Sequence, residues 1–287
     1  MAFRFDSKLT LVPHGGLGNR MRAIDSALRL SRKLQKQLNV IWLDNTPQLR
    51  CPFNKLFQPL SQVYLAAPQL TSLYLEPQAI QSPNALKKTL LSWSAKVFQT
   101  VNFQKIIGND EIVKLINADQ LTTLARYQSL MILTDRSFDS ANTYDGFKPI
   151  PALERAIQAR TATFGGHTVG LHIRRGDHNQ STKHSPLSLF IDAMTQEIDQ
   201  NKDTNFYLAS DSLQVKHRLL DQFGDRIITQ LAATNRNSEE GMQDAVVDLY
   251  ALSKTRKIYG SYWSSYSRVA ANISNAELIV LNTQQTT

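Results

Sequence analysis

The stretch Gly170-Leu171-His172-Ile173-Arg174-Arg175-Gly176-Asp177 concentrates side chains that could do chemistry. Its first half reads as a strand. Side chains alternate faces along a strand, so Leu171 and Ile173 point one way and His172 and Arg174 the other. Two polar groups would then project together at the strand's carboxyl end. An arginine there offers a rigid fork of donors that matches phosphate oxygens. Asp177 could hold one guanidinium in place. Taken alone, the stretch reads more readily as surface charge at a strand end.

Two further segments invite the same question. The turn Gly15-Gly16-Leu17-Gly18-Asn19 lies between an apolar run and a helical pattern. Glycines there let a ligand approach the backbone, and the following helix N-terminus favours an anion. A dinucleotide fingerprint is the obvious alternative, with Asp44 ending the next strand as a ribose ligand would. Met21 stands where that fingerprint needs its third glycine, so the match is weak. The third segment pairs Asp244 and Asp248 at helical spacing with Ser261-Tyr262-Trp263-Ser264-Ser265 beyond the next strand. Serines at a helix start are ordinary caps, but their hydroxyls and the free N–H groups beside them also suit a phosphate. No two aspartates have D-x-D spacing, the pattern by which many sugar transferases hold a divalent ion. Fixed cations such as Arg174 and Arg175 would take the ion's place, so no metal and no cofactor is expected. No Ser/His/Asp arrangement is evident.

The elements that must position these residues alternate strand and helix. Leu9 to Val12 reads as a buried strand, about Arg20 to Leu38 as a helix and Val40 to Leu43 as the next strand, a β–α–β unit. Prolines at 47, 52, 59, 68, 77 and 83 suggest loops, short helices and at most an edge strand from Asn45 to about Asn109. Leu130 to Leu133 is another strand. Pro149-Ile150-Pro151 reads as a linker, which divides the chain into residues 1–150 and 151–287. Beyond it, strands at Thr168–Ile173, Asn205–Ala209, near Ile227 and at Lys257–Gly260 alternate with helices. The expected class is α/β, two Rossmann-like domains with parallel sheets. Such sheets bind ligands beyond the carboxyl ends of their strands.

Composition narrows the field. The chain has 287 residues, 42% of them apolar and 20% charged, as in a soluble globular protein. The single cysteine, Cys51, excludes an internal disulfide and any cysteine metal cluster. No leader-like or bilayer-spanning run is visible, so a cytoplasmic location is expected. The net charge of +8 is confined to residues 1–150, with 18 Lys+Arg against 10 Asp+Glu; residues 151–287 hold 14 of each. A basic half suggests an anionic partner. Nucleic acid would call for basic residues interleaved with exposed aromatics, and that pattern is absent.

Taken together, these motifs resemble the superfamily of GDP-fucose fucosyltransferases that includes α1,2-, α1,6- and protein-O-fucosylating enzymes. His172-Ile173-Arg174-Arg175-Gly176-Asp177 looks like its H-x-R-R-x-D hallmark, and Gly15-Gly16-Leu17-Gly18-Asn19 is similar to its N-terminal turn. Phe206 to Asp211 is similar to its second donor-domain strand. Asp248 followed by Ser264-Ser265 looks like its third motif. The resemblance implies a GT-B fold, with two Rossmann-like domains facing a central cleft and the donor held mainly by the C-terminal one. It implies that Arg174 contacts the β-phosphate, that Arg175 orients the loop, and that His172 and Asp248 lie near guanine and ribose. Ser264 or Ser265 would bind phosphate. Asp211 would belong to the donor side, and Gly16, Gly18, Asn19 and Arg20 would face the cleft. Candidate bases are Asp177, His178, His184 and His14. The implied reaction is inverting, metal-independent fucosyl transfer from GDP-fucose to a glycan or lipid-linked acceptor. An acidic acceptor would suit the basic half, which could also touch a membrane surface. The rivals are transfer of another GDP-sugar and a non-catalytic sugar-nucleotide or glycan-binding protein.

Overall fold

A computed structural model of the chain describes residues 7–60, 68–77, 80, 82–139, 141–176, 179–231 and 237–283. It forms two α/β units, Met1–Asn54 with Pro59–Asn142, and Lys55–Gln58 with Thr143–Thr287. The division falls before the proline pair expected to act as a linker. Pro149 bridges to Phe57 and accepts from Gln58 Nε2 at 2.9 Å, and Pro151 opens a helix. That segment is a built-in part of the second unit.

In the first unit, β1 (Lys8–Pro13) leads through α1 (Leu17–Lys33) to β2 (Gln37–Val40). After α2 (Ala85–Asn102) come β3 (Lys105–Ile107), α3 (Asn109–Asn117) and β4 (Ser129–Thr134). The sheet is fully parallel, in the order β2-β1-β4-β3. Leu9 and Leu11 of β1 and Met21, Ile24 and Ala27 of α1 are all fully buried, which is what the apolar spacings require. The helix stops at Lys33, earlier than the pattern suggested, because Gln35 takes a left-handed turn (φ 54°) and Leu38 enters β2.

The stretch read as loops contains the 18-residue helix α2. Its start lies just past Pro83, where Asn84 accepts from the Lys87 N–H at 3.0 Å as an N-cap. The proline count concealed a run of eighteen residues without a breaker. The edge strand anticipated there is β3.

Arg20 is the largest fully buried side chain of the described residues. Its Nε donates to the Gly15 carbonyl at 2.9 Å, Nη1 to the Leu43 carbonyl at 2.5 Å and Nη2 to Thr46 Oγ1 at 2.8 Å. The guanidinium also lies 4.9 Å from the Trp42 ring centroid. Burial lowers its pKa to about 10, which still leaves it charged at neutral pH. Arg20 was expected to face a ligand; it is a staple joining the glycine turn to the end of β2. The glycine this turn needs for its backbone is Gly15, at φ 79°.

The second unit runs α4 (Pro151–Thr161), β5 (Thr168–Ile173), α5 (Asn179–His184), α6 (Leu187–Gln200) and β6 (Asn205–Ser210). It continues with α7 (Leu213–Phe223), β7 (Ile227–Ile228), α8 (Glu239–Ser253), β8 (Lys257–Ser261), α9 (Ser265–Ser274) and β9 (Glu277–Leu281). All pairings are parallel, in the order β7-β6-β5-β8-β9. On one face Val169, Leu171 and Ile173 pack with Phe190, Met194, Phe206, Leu208 and Leu219. On the other, Gly170 lies so close to the end of α8 and the turn after it that a Cβ would meet Leu252 Cδ2 at 3.1 Å and Thr255 Oγ1 at 2.6 Å. The chain builds outward from β5 to β7, returns to β8 and then goes out to β9. The crossover direction therefore reverses between β5 and β8, a topological switch point.

Removing the Arg20 guanidinium would leave the buried Leu43 carbonyl and the part-buried Gly15 carbonyl and Thr46 hydroxyl without this donor, at up to about 1–3 kcal/mol each. Arg20→Ala should therefore lower stability by at least ~3 kcal/mol in chemical denaturation. A loss below ~1 kcal/mol would contradict the staple.

Candidate functional site

At the carboxyl end of β5 the ladder gives way to side chains. The Arg174 N–H donates to Ser261 Oγ at 3.0 Å, and the same hydroxyl lies 3.2 Å from the His172 carbonyl. From the other side, Ser210 Oγ donates to the Ile173 carbonyl at 2.7 Å, and Asp211 Oδ1 accepts from the Arg175 N–H at 2.7 Å. Residues 172–175 are thus held by β8 on one flank and β6 on the other. Gly176 completes the fit, since a Cβ there would meet Asp211 Oδ2 at 2.7 Å. Asp211, expected on the donor side, organises the turn that carries the arginines. Asp177 and His178 lie outside the described residues.

The two arginines go separate ways, as alternation requires. Arg175 is half-buried; its Nη1 donates to the Arg174 carbonyl at 2.8 Å, and its guanidinium carbon lies 6.0 Å from the Phe190 centroid on the core face. Arg174 shares the face of His172. That imidazole is 7% exposed and tilts against the Tyr266 ring, centroids 4.8 Å apart, with Ser264 Oγ 3.5 Å from Nδ1. Burial, reinforced by the Arg174 cation, lowers the His172 pKa to about 4. His172 is therefore neutral at physiological pH, and Arg174 carries the charge.

Ser264 occupies the N-cap of α9, yet its side chain makes no capping bond to the helix. The first-turn N–H groups from Ser265 onward accordingly have no side-chain cap, which is a helix start suited to an anion. The preceding Trp263 is 64% exposed and sits at φ 57°, a conformation a bulky side chain adopts only when its surroundings enforce it. A left-handed tryptophan has no local signature in the sequence.

Asp248 is placed deeper than expected. Its Oδ1 accepts from the Tyr207 hydroxyl at 2.5 Å and from Arg160 Nη1 at 2.8 Å. Burial pushes its carboxyl above the ordinary value, against the pull of those two donors. Arg160 also reaches Asp244 at 3.7 Å and Gln230 at 3.4 Å. Arg160 and Tyr207 escaped notice because only the folded sheet brings α4, β6 and α8 together.

The first unit has its own polar edge at the carboxyl ends of β1 and β4. Asn109 Nδ2 donates to Asp135 Oδ1 at 3.0 Å and lies 3.4 Å from His14 Nε2; Asn19 Nδ2 reaches Asp135 Oδ2 at 3.4 Å. Burial lowers the His14 pKa, with Asp135 and Glu76 opposing. Asn19 is half-buried, while Gly16 is the N-cap of α1 and Gly18 is buried within it. His184 stands in the second unit, 5.2 Å from the Tyr262 centroid.

No protein-family model matches the sequence, and no curated protein sequence matches it. The fold, however, matches solved structures over nearly the whole chain. NodZ α1,6-fucosyltransferase co-crystallised with GDP aligns with TM-score 0.62 at 17% identity, covering 92% of this chain and 91% of that one. An Arabidopsis thaliana FUT1 variant in complex with GDP gives 0.61 at 14%, covering 96% and 70%. POFUT1 in complex with GDP gives 0.56 at 11%, covering 97% and 99%. The chain thus has the GT-B fold of these fucosyltransferases, built from parallel α/β sheets.

A histidine held neutral makes stability depend on pH. Because the unfolded side chain protonates near 6.5 and the folded one near 4, stability is complete above 6.5 and falls as pH drops between the two values. The loss attributable to His172 should reach about 3 kcal/mol. His172→Gln should show a correspondingly flatter profile from pH 6.5 to 4 in chemical denaturation. Identical slopes for the two proteins would contradict a neutral His172.

Proposed function

We propose that the chain is an inverting, metal-independent glycosyltransferase that moves fucose from GDP-fucose to a hydroxyl of a glycan or glycoconjugate. The observation that carries this reading is that the end of β5 at Arg174, whose N–H is held by Ser261 of β8, meets at the switch point of the second sheet the start of α9, where Ser264 makes no capping bond and lies beside His172. A cation and a helix N-terminus at one sheet edge form a diphosphate site. The three fold neighbours named above were each solved with GDP, which supports guanosine diphosphate as the nucleotide.

In this reading the second unit holds the donor. Arg174 and the N–H groups at Ser264 and Ser265 take the phosphates, and Asp211 and Arg175 keep the turn in shape. His172 and Tyr266 offer a flat surface near the base. Asp248 is the candidate acceptor for guanine N–H groups, with Arg160 and Tyr207 fixing its orientation. The first unit, with its basic excess, serves the acceptor.

The reaction is a single displacement. The acceptor oxygen forms a bond to the anomeric carbon as that carbon's bond to the diphosphate breaks, and the departing GDP keeps the electron pair. The acceptor's proton passes to a base drawn from Asp177, His178, His184 and His14. Negative charge builds on the diphosphate, where preorganised donors lower the barrier without a divalent ion.

Turnover assayed on GDP-fucose, GDP-mannose, UDP-glucose and UDP-galactose should be confined to GDP-fucose and be unchanged by EDTA. Arg174→Ala should reduce kcat by about 10²–10³-fold, by analogy with deleting one oxyanion donor. Turnover of UDP-sugars, or near-normal rates in Arg174→Ala, would overturn the reading.

A further inference from the structure

The outer face of α2 is apolar and bare. Leu86, Leu90, Trp93, Val97 and Val101 follow one another at steps of four, three, four and four residues, so they form a single stripe along the helix. They are 78%, 65%, 65%, 40% and 77% exposed. Scattered exposed apolar residues are ordinary, but a continuous stripe with a tryptophan at its centre marks an interaction surface.

The helix is firmly held from behind, so the stripe is not a sign of a misplaced element. Ala95 and Gln99, on the opposite side, are buried. Gln99 Nε2 donates to the carbonyls of Leu73 at 2.9 Å and Leu75 at 2.8 Å, and Ser92 Oγ to that of Pro77 at 2.9 Å. Phe98 packs edge-on between Tyr74 and Phe103. One face anchors α2 in the first unit, and the other has no occupant among the described residues.

Charge identifies the occupant. The helix carries Lys87, Lys88 and Lys96, all exposed, and no aspartate or glutamate. At 100° per residue, Lys87 and Lys96 flank the stripe on either side. Long cationic side chains beside an apolar face can lie along it and place their ammonium groups at a headgroup layer. The entire net positive charge of the chain also lies in residues 1–150. We infer that α2 is an in-plane docking helix for an anionic phospholipid surface, with the Leu86–Val101 stripe in the acyl boundary and Lys87 and Lys96 among the phosphates. The helix lies on the membrane and does not cross it, since no helix of the described residues is long and apolar enough to span one.

Co-sedimentation of the full chain with vesicles tests this without reference to GDP. Binding should be strong to mixed phosphatidylcholine–phosphatidylglycerol vesicles at low salt and weak to phosphatidylcholine alone. Leu90→Ser with Trp93→Ser should weaken partitioning by about tenfold or more, each side chain losing the apolar burial it would gain. Lys87→Gln and Lys96→Gln should each cost about fivefold and together remove most of the salt dependence, whereas Lys88→Gln, on the side of Ala95 and Gln99, should change binding little. All these sites are exposed, so thermal unfolding of the variants should match that of the parent. Equal binding to neutral vesicles, no binding to either, or indifference to the stripe substitutions would overturn the inference. So would a parent dimer that Leu90→Ser dissociates, because the stripe would then be a surface between two copies.

Discussion

The structure of the second unit depends on how one strand is allowed to end. Parallel strands leave their carboxyl-terminal N–H and C=O groups without ladder partners, and buried groups in that state are costly. Here β5 stops between two neighbours that supply the missing partners from side chains, Ser210 and Asp211 from β6 and Ser261 from β8. Those clamps fix the backbone of residues 172–175, and the fixed backbone sends Arg174 and Arg175 to opposite faces.

Electrostatics follow from the same geometry. His172 lies on the face of Arg174 and under the cover of Tyr266, so burial and a neighbouring cation both disfavour its charged form. The positive charge at this edge is left to a group that cannot lose it at physiological pH. The uncapped start of α9 adds a partial positive charge from backbone N–H groups. The first unit solves a related problem differently. Its glycine turn is held by the fully buried Arg20, whose three nitrogens each donate to a carbonyl or a hydroxyl, so that arginine positions backbone.

The alternation of apolar and polar residues from Gly170 to Arg175 made the strand, its two faces and the separate fates of the arginines legible in the sequence. The parallel α/β class and the order of the motifs were legible for the same reason, since periodicity and turn glycines are local signals. Arg20 was not, because a buried arginine and a ligand-facing one look alike until the acceptors at Leu43 and Thr46 are in place. Neither was the Arg160–Asp248–Tyr207 cluster, whose members are 88 and 41 positions apart along the chain. The helix α2 was obscured by the prolines before it, although its first cap, Asn84, and its breaker-free length were both present in the sequence. Fold likeness at 17% identity or less has a matching explanation: the two sheets rest on apolar periodicity that many sequences satisfy.

The most direct measurement of the central claim is an experimental structure of the protein with GDP bound. The account places the diphosphate at the carboxyl ends of β5 and β8, within hydrogen-bond reach of the Arg174 guanidinium and the first-turn N–H groups of α9. Guanine should lie on the side of His172 and Asp248. A diphosphate bound elsewhere, with Arg174 making no contact to it, would contradict the account.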